Sequence, residues 1–398
     1  MIPGGPSLAL VSEATGTQRH ARDRPNGIEP FLEQYTESYW YYGSGKVALR
    51  DGLRTVRSAS SPVRPAETTL DPNVLLPAYI PDAVSEPIRE LGLEPRYYAI
   101  TDGLAPDMVD LESRVDRATI AIVSVNYFGF PQPNLAELSA FCDDLDCFHV
   151  DDNAHAAWSV ADGQLLGTFG DLGITCLWKT LPIPNGALLY VTSPTLRDRF
   201  EPTDLAGVRD HLDASDVRFI CKSFVDGVLD SSPYLRASID SIVTNVTGST
   251  PPNPGTRYEA VKRKLSKLSE SICEVTDPDR IRGRRRENYR AWLDVVAGWT
   301  DVNPIYPALE PGICPQSLPI YTSHPDRVRR TLRDLGVDGV HSWPRLDPSV
   351  ASAPEYRTAT HLASHVLTLP VHQHVDPAQI ASIGDRLVDS SATTTGRS

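Results

Sequence analysis

The chain has 398 residues, of which 40% are hydrophobic and 22% charged, enough for two domains with cores of their own. Its net charge of −13 argues against a nucleic-acid partner, which needs a basic footprint, but leaves room for a phosphorylated small molecule held by local backbone donors. No apolar run approaches the roughly 20 residues of a membrane span, and the opening MIPGGPSLALVSEATG lacks the basic start and apolar stretch of a secretory signal, so no membrane partner and a cytoplasmic location are expected. The six cysteines (Cys142, Cys147, Cys176, Cys221, Cys273 and Cys314) are scattered, and a chain of this size needs no disulfide framework. Cys142, Cys147 and His149 lie close together but fit no zinc-ligand spacing, so buried thiols and no metal are expected.

Residues 1–35 are polar and unpatterned and are expected to form a tail or an arm on a neighbouring subunit. Residues 36–250 are expected to form a large domain. In it, short apolar runs at 74–80, 97–100, 120–125, 148–150 and 187–191 read as buried strands. The stretches 44–56, 81–91, 107–115 and 135–142 read as the intervening helices. Strand–helix alternation predicts an α/β architecture, an open and mostly parallel sheet between helices. Residues 195–250 are polar and helical in tendency, without a motif, and GSTPPNPGT (248–256) reads as a linker. Residues 257–398 are expected to form a smaller α+β domain. Helical patterns are read at 258–272 and 284–296, and short strands and two helices at 318–321, 325–335, 358–366 and 377–388.

Four features carry chemistry. Tyr42-Gly43-Ser44-Gly45-Lys46 precedes a helix, so glycine freedom and the first helical amides offer an anion site; the same residues also suit a plain turn with Ser44 as helix cap. In His149-Val150-Asp151-Asp152-Asn153-Ala154-His155 a strand runs into two aspartates at its C-terminal end, where open α/β sheets place ligands. Asp152 and His155 are the candidates for the crevice; a solvated acidic turn is the plainer alternative. Gly167-Thr168-Phe169-Gly170-Asp171 leads into Ile-Thr-Cys-Leu-Trp-Lys (174–179), which puts Lys179 at the end of an apolar strand. Lysine is seldom buried without a purpose, and burial disfavours the charged amine, as a Schiff-base lysine requires. Finally, Asn185-Gly186 in 182–189 makes a tight turn back into a strand.

These pieces, in this order, resemble the DegT/StrS family of pyridoxal-phosphate-dependent aminotransferases. The matching segments are YYGSGKVALRDGL, VLLPAYI, VNYFGFPQPNLAEL, VDDNAHA, GTFGDLGITCLWKTLPIPNGALL, RRENYRAWL, GVHSWPRL and TLPVHQHVDPAQI. The resemblance covers most of the chain and is weakest over 195–255. It implies the aspartate-aminotransferase fold, fold type I of the pyridoxal-phosphate enzymes. It also implies pyridoxal 5'-phosphate as cofactor and a homodimer with shared active sites.

Residue by residue, the resemblance makes Lys179 the Schiff-base lysine and Asp152 the partner of the protonated pyridine nitrogen. It sets His155 near the phenolic oxygen, and Gly43, Ser44 and Gly45 at the phosphate. Cys176 replaces a serine usual in the family, Asn126 a histidine, and Pro81 the aromatic that stacks on the cofactor ring, for which Tyr79 and Tyr127 are the substitutes within reach. These departures mark a divergent branch. The implied activity is transfer of an amino group from a donor such as glutamate or glutamine to a keto sugar or other small carbonyl compound, in secondary-metabolite or amino-sugar biosynthesis. The alternatives are a lyase, aldolase or cyclase using the same cofactor, or a non-catalytic regulatory relative, against which the intact Asp152–Lys179 pair speaks.

Among weaker candidates, Arg280, Arg282, Arg284, Arg285, Arg286 and Arg290 form a basic cluster, expected as a solvated helix face with ion pairs. His341, Trp343, His372 and His374 lie in small-domain loops of the kind that close over a substrate. Asn245-Val246-Thr247 matches a glycosylation sequon that has no meaning in a cytoplasmic protein.

Overall fold

Runs of buried β-branched and aliphatic residues build the main sheet. The run Thr119–Val125 (TIAIVSV) has every residue buried. In the computed structural model, which describes residues 2–4, 27–60, 71–221 and 254–395, it is an inner strand of seven. The chain forms β1 (Tyr39–Tyr42), β2 (Asn73–Pro77), β3 (Glu94–Tyr98), β4 (Thr119–Val125), β5 (Phe148–Asp152), the hairpin β6 (Val160–Ala161) and β7 (Gln164–Leu165), β8 (Leu172–Thr175) and β9 (Ala187–Val191). The sheet runs β1-β9-β8-β5-β4-β2-β3. The five strands from β8 to β3 are parallel, and β9 and β1 add antiparallel pairs at one edge. The α/β reading of the sequence therefore holds. Strand β1 is an addition to it: Tyr39–Tyr42 pairs in register with Ala187–Tyr190.

Two expectations about elements are corrected. Strand β8 stops at Thr175, and Lys179 lies beyond it in the 3₁₀ turn Leu177–Lys179. The helix read over 258–272 is two helices, Pro254–Ala260 and Lys267–Val275. The break is imposed by tertiary pairing. The Leu265 amide donates to the Gly207 carbonyl at 3.0 Å, and the Ser266 amide donates to Oδ1 of Asn185 at 2.9 Å.

The C-terminal part builds a four-stranded antiparallel sheet, β10-β11-β13-β12, from β10 (Asn303–Pro304), β11 (Ser317–Tyr321), β12 (His341–Ser342) and β13 (Val366–Pro370). The helices Pro278–Ala297 and Pro325–Asp334 and the start of Pro377–Thr395 bury Tyr289, Trp292, Val328, Leu332, Ile380 and Ile383 in its core. Ile2 joins that core. Its amide donates to Gly336 O, and its carbonyl accepts from the Asp338 amide, both at 2.8 Å. The described parts of 1–35 thus pack on their own chain. The sequon at Asn245 and most of the linker 248–256 lie outside the described residues. Among the described residues no helix is long and apolar enough to cross a membrane.

Candidate active site

The C-terminal ends of β4, β5 and β8 open on one crevice. There a cavity of about 210 Å³ is lined by Ser44, Gly45, Val125, Asp152, His155, Cys176, Lys179 and Trp343, among others. Six of the nine residues proposed from the sequence therefore line one shared space. They come from segments as far apart as 44 and 179.

Strand alternation separates the two aspartates of β5. Asp151 points into the protein, where its carboxylate accepts from Asn126 Nδ2 (2.7 Å), the Gly167 amide (2.8 Å) and the Phe169 amide (3.2 Å). Burial pushes its pKa up to about 6, against the pull of those donors. Asp152 points the other way, into the cavity. Its Oδ1 accepts from the Ala154 amide at 3.0 Å, and among the described residues no hydrogen bond reaches Oδ2. Burial raises the Asp152 pKa, offset by the charge of Lys179 and by the Ala154 amide. The bare oxygen opens on the cavity, where a cationic donor from a ligand would pair with it. A protonated pyridine nitrogen is such a donor, and the residues present fit a pyridoxal cofactor at this end.

Lys179 is half-buried, and among the described residues its amine makes no hydrogen bond or ion pair; Nζ lies 6.0 Å from the ring centre of Trp178. The expectation of a buried lysine at the strand end is corrected to a half-buried one, because the 3₁₀ turn carries the residue past the strand end toward the crevice. The turn is closed locally: Lys179 N donates to Cys176 O at 3.3 Å and Thr180 N to Leu177 O at 2.9 Å.

The helix Gly45–Ser60 aims its N-terminus at the same cavity. A side chain on Gly45 would put its Cβ 2.6 Å from Sγ of Cys176, and one on Gly43 would run into the Arg263 carbonyl. Both glycines are thus dictated by close approach. Asn185 braces this loop, donating through Nδ2 to Lys264 O at 3.0 Å. Burial raises the pKa of the Cys176 thiol, which stays a neutral neighbour to the helix amides. Orphan amides with the dipole behind them suit a phosphate.

His155 is buried, and burial, then the charge of Lys179, hold its pKa well below the usual value. The neutral ring accepts the Phe128 amide on Nδ1 at 3.3 Å, which leaves the proton on Nε2. Phe128 adopts φ +57°, a left-handed conformation uncommon for a bulky residue, and its ring stacks on that of His155 at 5.9 Å.

The two tyrosines proposed as ring-stacking substitutes are placed differently. Tyr79 and Tyr127 are fully buried and do not line the cavity. They pack behind Trp343, at 5.1 and 5.9 Å between ring centres, and Tyr79 Oη donates to the Trp343 carbonyl at 2.6 Å. The aromatic wall is Trp343 itself, edge-on to His155 at 5.0 Å, with Pro81 also in the lining. Sequence reasoning set Trp343 in a small-domain loop but not on this wall, and it passed over Trp178, Ile80 and Val84. Local pattern carries no signal for a contact across the 264 residues between Tyr79 and Trp343.

The other candidates divide. Asn126 serves the inner side: besides Asp151 it donates to Asn153 Oδ1 at 3.2 Å and accepts from the Gln132 amide at 3.1 Å. Arg282 and Arg284 form the expected ion pairs with Asp279 and Glu287, but Arg285 is fully buried, a correction to the solvated-face reading. His372 is buried on Pro3 O at 2.8 Å, and His341 is exposed on β12. Among the described residues no cluster of three or more metal-ligating side chains occurs.

The sequence model of the DegT/DnrJ/EryC1/StrS aminotransferase family matches residues 66–214. No curated protein matches the chain by sequence. Among solved structures, the aminotransferase TlmJ from Streptoalloteichus hindustanus is similar over 99% of this chain and 100% of its own, at 18% identity and a TM-score of 0.64. DesV of S. venezuelae, solved in complex with a ketimine intermediate, is similar over 95% and 92%, at 16% identity and a TM-score of 0.60. The GDP-4-keto-6-deoxymannose-3-dehydratase ColD, solved as a mutant with bound GDP-perosamine, is similar over 97% and 99%, at 14% identity and a TM-score of 0.61. Likenesses at these identities show a shared fold. The family match spans residues 66–214, the part that holds Asp152, His155, Cys176 and Lys179, and the enzymes of that family use pyridoxal phosphate.

Proposed function

We propose that this enzyme moves an amino group from an amino-acid donor to the carbonyl of a keto sugar or another small carbonyl compound, in secondary-metabolite or amino-sugar biosynthesis. The observation that carries the reading is the pairing, in one cavity, of an uncommitted amine on Lys179 with a bare carboxylate oxygen on Asp152. Bound pyridoxal phosphate would supply an electron sink for the carbon bearing the amino group.

The chain's own residues then have separable tasks. Lys179 would hold the cofactor through its amine, and that amine, when free, would move a proton at the substrate carbon as general acid and base. Asp152 would keep a proton on the ring nitrogen. His155, its Nδ1 held by the Phe128 amide, would offer its Nε2–H to the ring oxygen. The amides at Ser44 and Gly45 would take the phosphate, and Trp343 and Pro81, both in the cavity lining, would help exclude water from the cofactor.

The protein is proposed to be a cytoplasmic homodimer. Trp178, 49% exposed beside Lys179 at the cavity, is the kind of surface a second subunit covers. The fold also houses a dehydratase, so elimination is the rival reaction to be separated by experiment. The enzyme loaded with cofactor is incubated with glutamate, glutamine and other amino acids without an acceptor, and the cofactor is recovered. Transamination yields pyridoxamine phosphate and a keto acid. If no donor does so while some substrate loses a side-chain group, the lyase reading replaces this one. An acceptor screen with mass spectrometry of the products then identifies the carbonyl compound.

A further inference from the structure

Among the described residues, Arg285 is a buried cation without an anion. Its side chain is 1% exposed, and among the described residues no carboxylate pairs with it. The titratable groups facing it are Cys314, His372 and His374. Burial, helped by the charge of Arg285, lowers the two histidines to about 3 and about 4, so neither adds charge near neutral pH. Among the described residues the guanidinium is solvated by dipoles alone. Nε donates to Gln373 Oε1 at 3.0 Å, Nη1 to the carbonyls of Pro315 and Gln316 at 3.2 Å each, and Nη2 to the carbonyl of Thr180 at 3.3 Å.

The groups held by this fork lead to cavity residues along two routes. Thr180 follows Lys179 directly, and its carbonyl also accepts Gln373 Nε2 at 2.9 Å, which closes a ring of hydrogen bonds among Arg285, Gln373 and Thr180. On the other side the Gln316 amide donates to Phe128 O at 2.8 Å, and the Phe128 amide is the group that holds His155. One planar donor set on the small-domain helix Pro278–Ala297 thus braces both the turn that carries Lys179 and the peptide that orients His155. Filling volume alone would favour an apolar side chain here, since a buried charge without a counter-ion is costly to desolvate. A rigid fork that must hold separate carbonyls at fixed angles requires arginine.

We propose that Arg285, with Gln373, is a positioning residue that fixes the approach of the Lys179 amine to the cofactor aldehyde. This inference rests on the aminotransferase reading above. The test uses the full chain with Gln373→Leu, Arg285→Lys and Arg285→Met. In cofactor-free protein, labelling of Lys179 by an amine-reactive reagent is followed against pH by peptide mapping. In the loaded protein, the pH midpoint of the visible band of lysine-bound cofactor is titrated, and kcat and KM are measured.

Gln373→Leu is expected to stay folded with a modestly lower melting temperature, and Arg285→Lys to lose more, because each leaves hydrogen-bonding groups of this ring unpaired. The labelling profile and the band midpoint should move by about half a pH unit or more. kcat should fall about tenfold, with donor KM changed much less, because a displaced base costs rate more than binding. Arg285→Met is expected to show the largest shift; if it fails to fold, Gln373→Leu carries the test. Folded variants with unchanged profile, midpoint and kcat would overturn the positioning role and leave the aminotransferase reading intact. A parent in which borohydride fixes no cofactor to Lys179 would overturn both.

Discussion

Asp151 and Asp152 leave one strand in opposite directions, the first onto three hydrogen-bond donors and the second into the cavity with one oxygen bare. Neighbours in sequence therefore have different tasks, and substitution separates them. Asp152→Asn should keep the fold and lower turnover by about two orders of magnitude or more, since a neutral amide cannot hold the proton on the ring nitrogen. Asp151→Asn should instead lower stability, by about 1–3 kcal/mol, because an amide cannot accept from all three donors. Melting temperature and kcat measured on both variants decide the matter; a near-parental rate in Asp152→Asn would transfer the cofactor role to another acid.

Borohydride reduction should fix the cofactor to Lys179, and Lys179→Ala should lose the visible absorbance of bound cofactor. Peptide mapping checks the site. Label on Lys46, which instead pairs with Glu86 at 2.6 Å, would sink the assignment.

The hydroxyl of Tyr79 holds the backbone of Trp343 and so the wall of the cavity. Tyr79→Phe should cost about 1 kcal/mol by leaving a buried carbonyl unpaired. The loosened wall should raise KM for the acceptor more than it lowers kcat. Steady-state kinetics on the variant, with its melting temperature alongside, test the link; equal loss in both constants would break it.

His149 gives a pH signature. It is pinned between the hydroxyls of Ser124 (2.8 Å) and Ser139 (2.9 Å), and burial lowers its pKa to about 4. The unfolded chain binds this proton near pH 6.5, so the contribution of His149 is present above that value and is lost as pH falls toward 4. The loss amounts to about 3 kcal/mol when the shift is converted directly. Denaturant titrations from pH 7 to 4 should show a shallower fall for His149→Gln than for the parent. An identical slope would assign the acid sensitivity to other groups.

A homodimer is expected, with Trp178 covered by the second subunit. Light scattering together with Trp178 fluorescence on dilution tests it. Full activity in a monomer would refute the shared-site reading.

Part of this protein is written in local pattern. The apolar runs that became β2, β4, β5 and β9 are legible because their residues are buried on both faces, and short buried runs between amphipathic stretches have few other solutions. The glycines at 43 and 45 and the aspartate pair at 151–152 announced the site for the same local reason. Strand β1 was not legible: Tyr39–Tyr42 sits in a polar context, and its strand form depends on pairing with β9 far along the chain. Long-range packing settled the rest: which aspartate faces the cavity, and that Trp343, rather than Tyr79 or Tyr127, forms its aromatic wall. It also drew Arg285 from the exposed side of its helix into the interior. Each of these turns on contacts between residues dozens to hundreds of positions apart. The free energy of such contacts comes from which dipoles and rings the packed chain brings within reach, a quantity that no window of neighbouring residues contains.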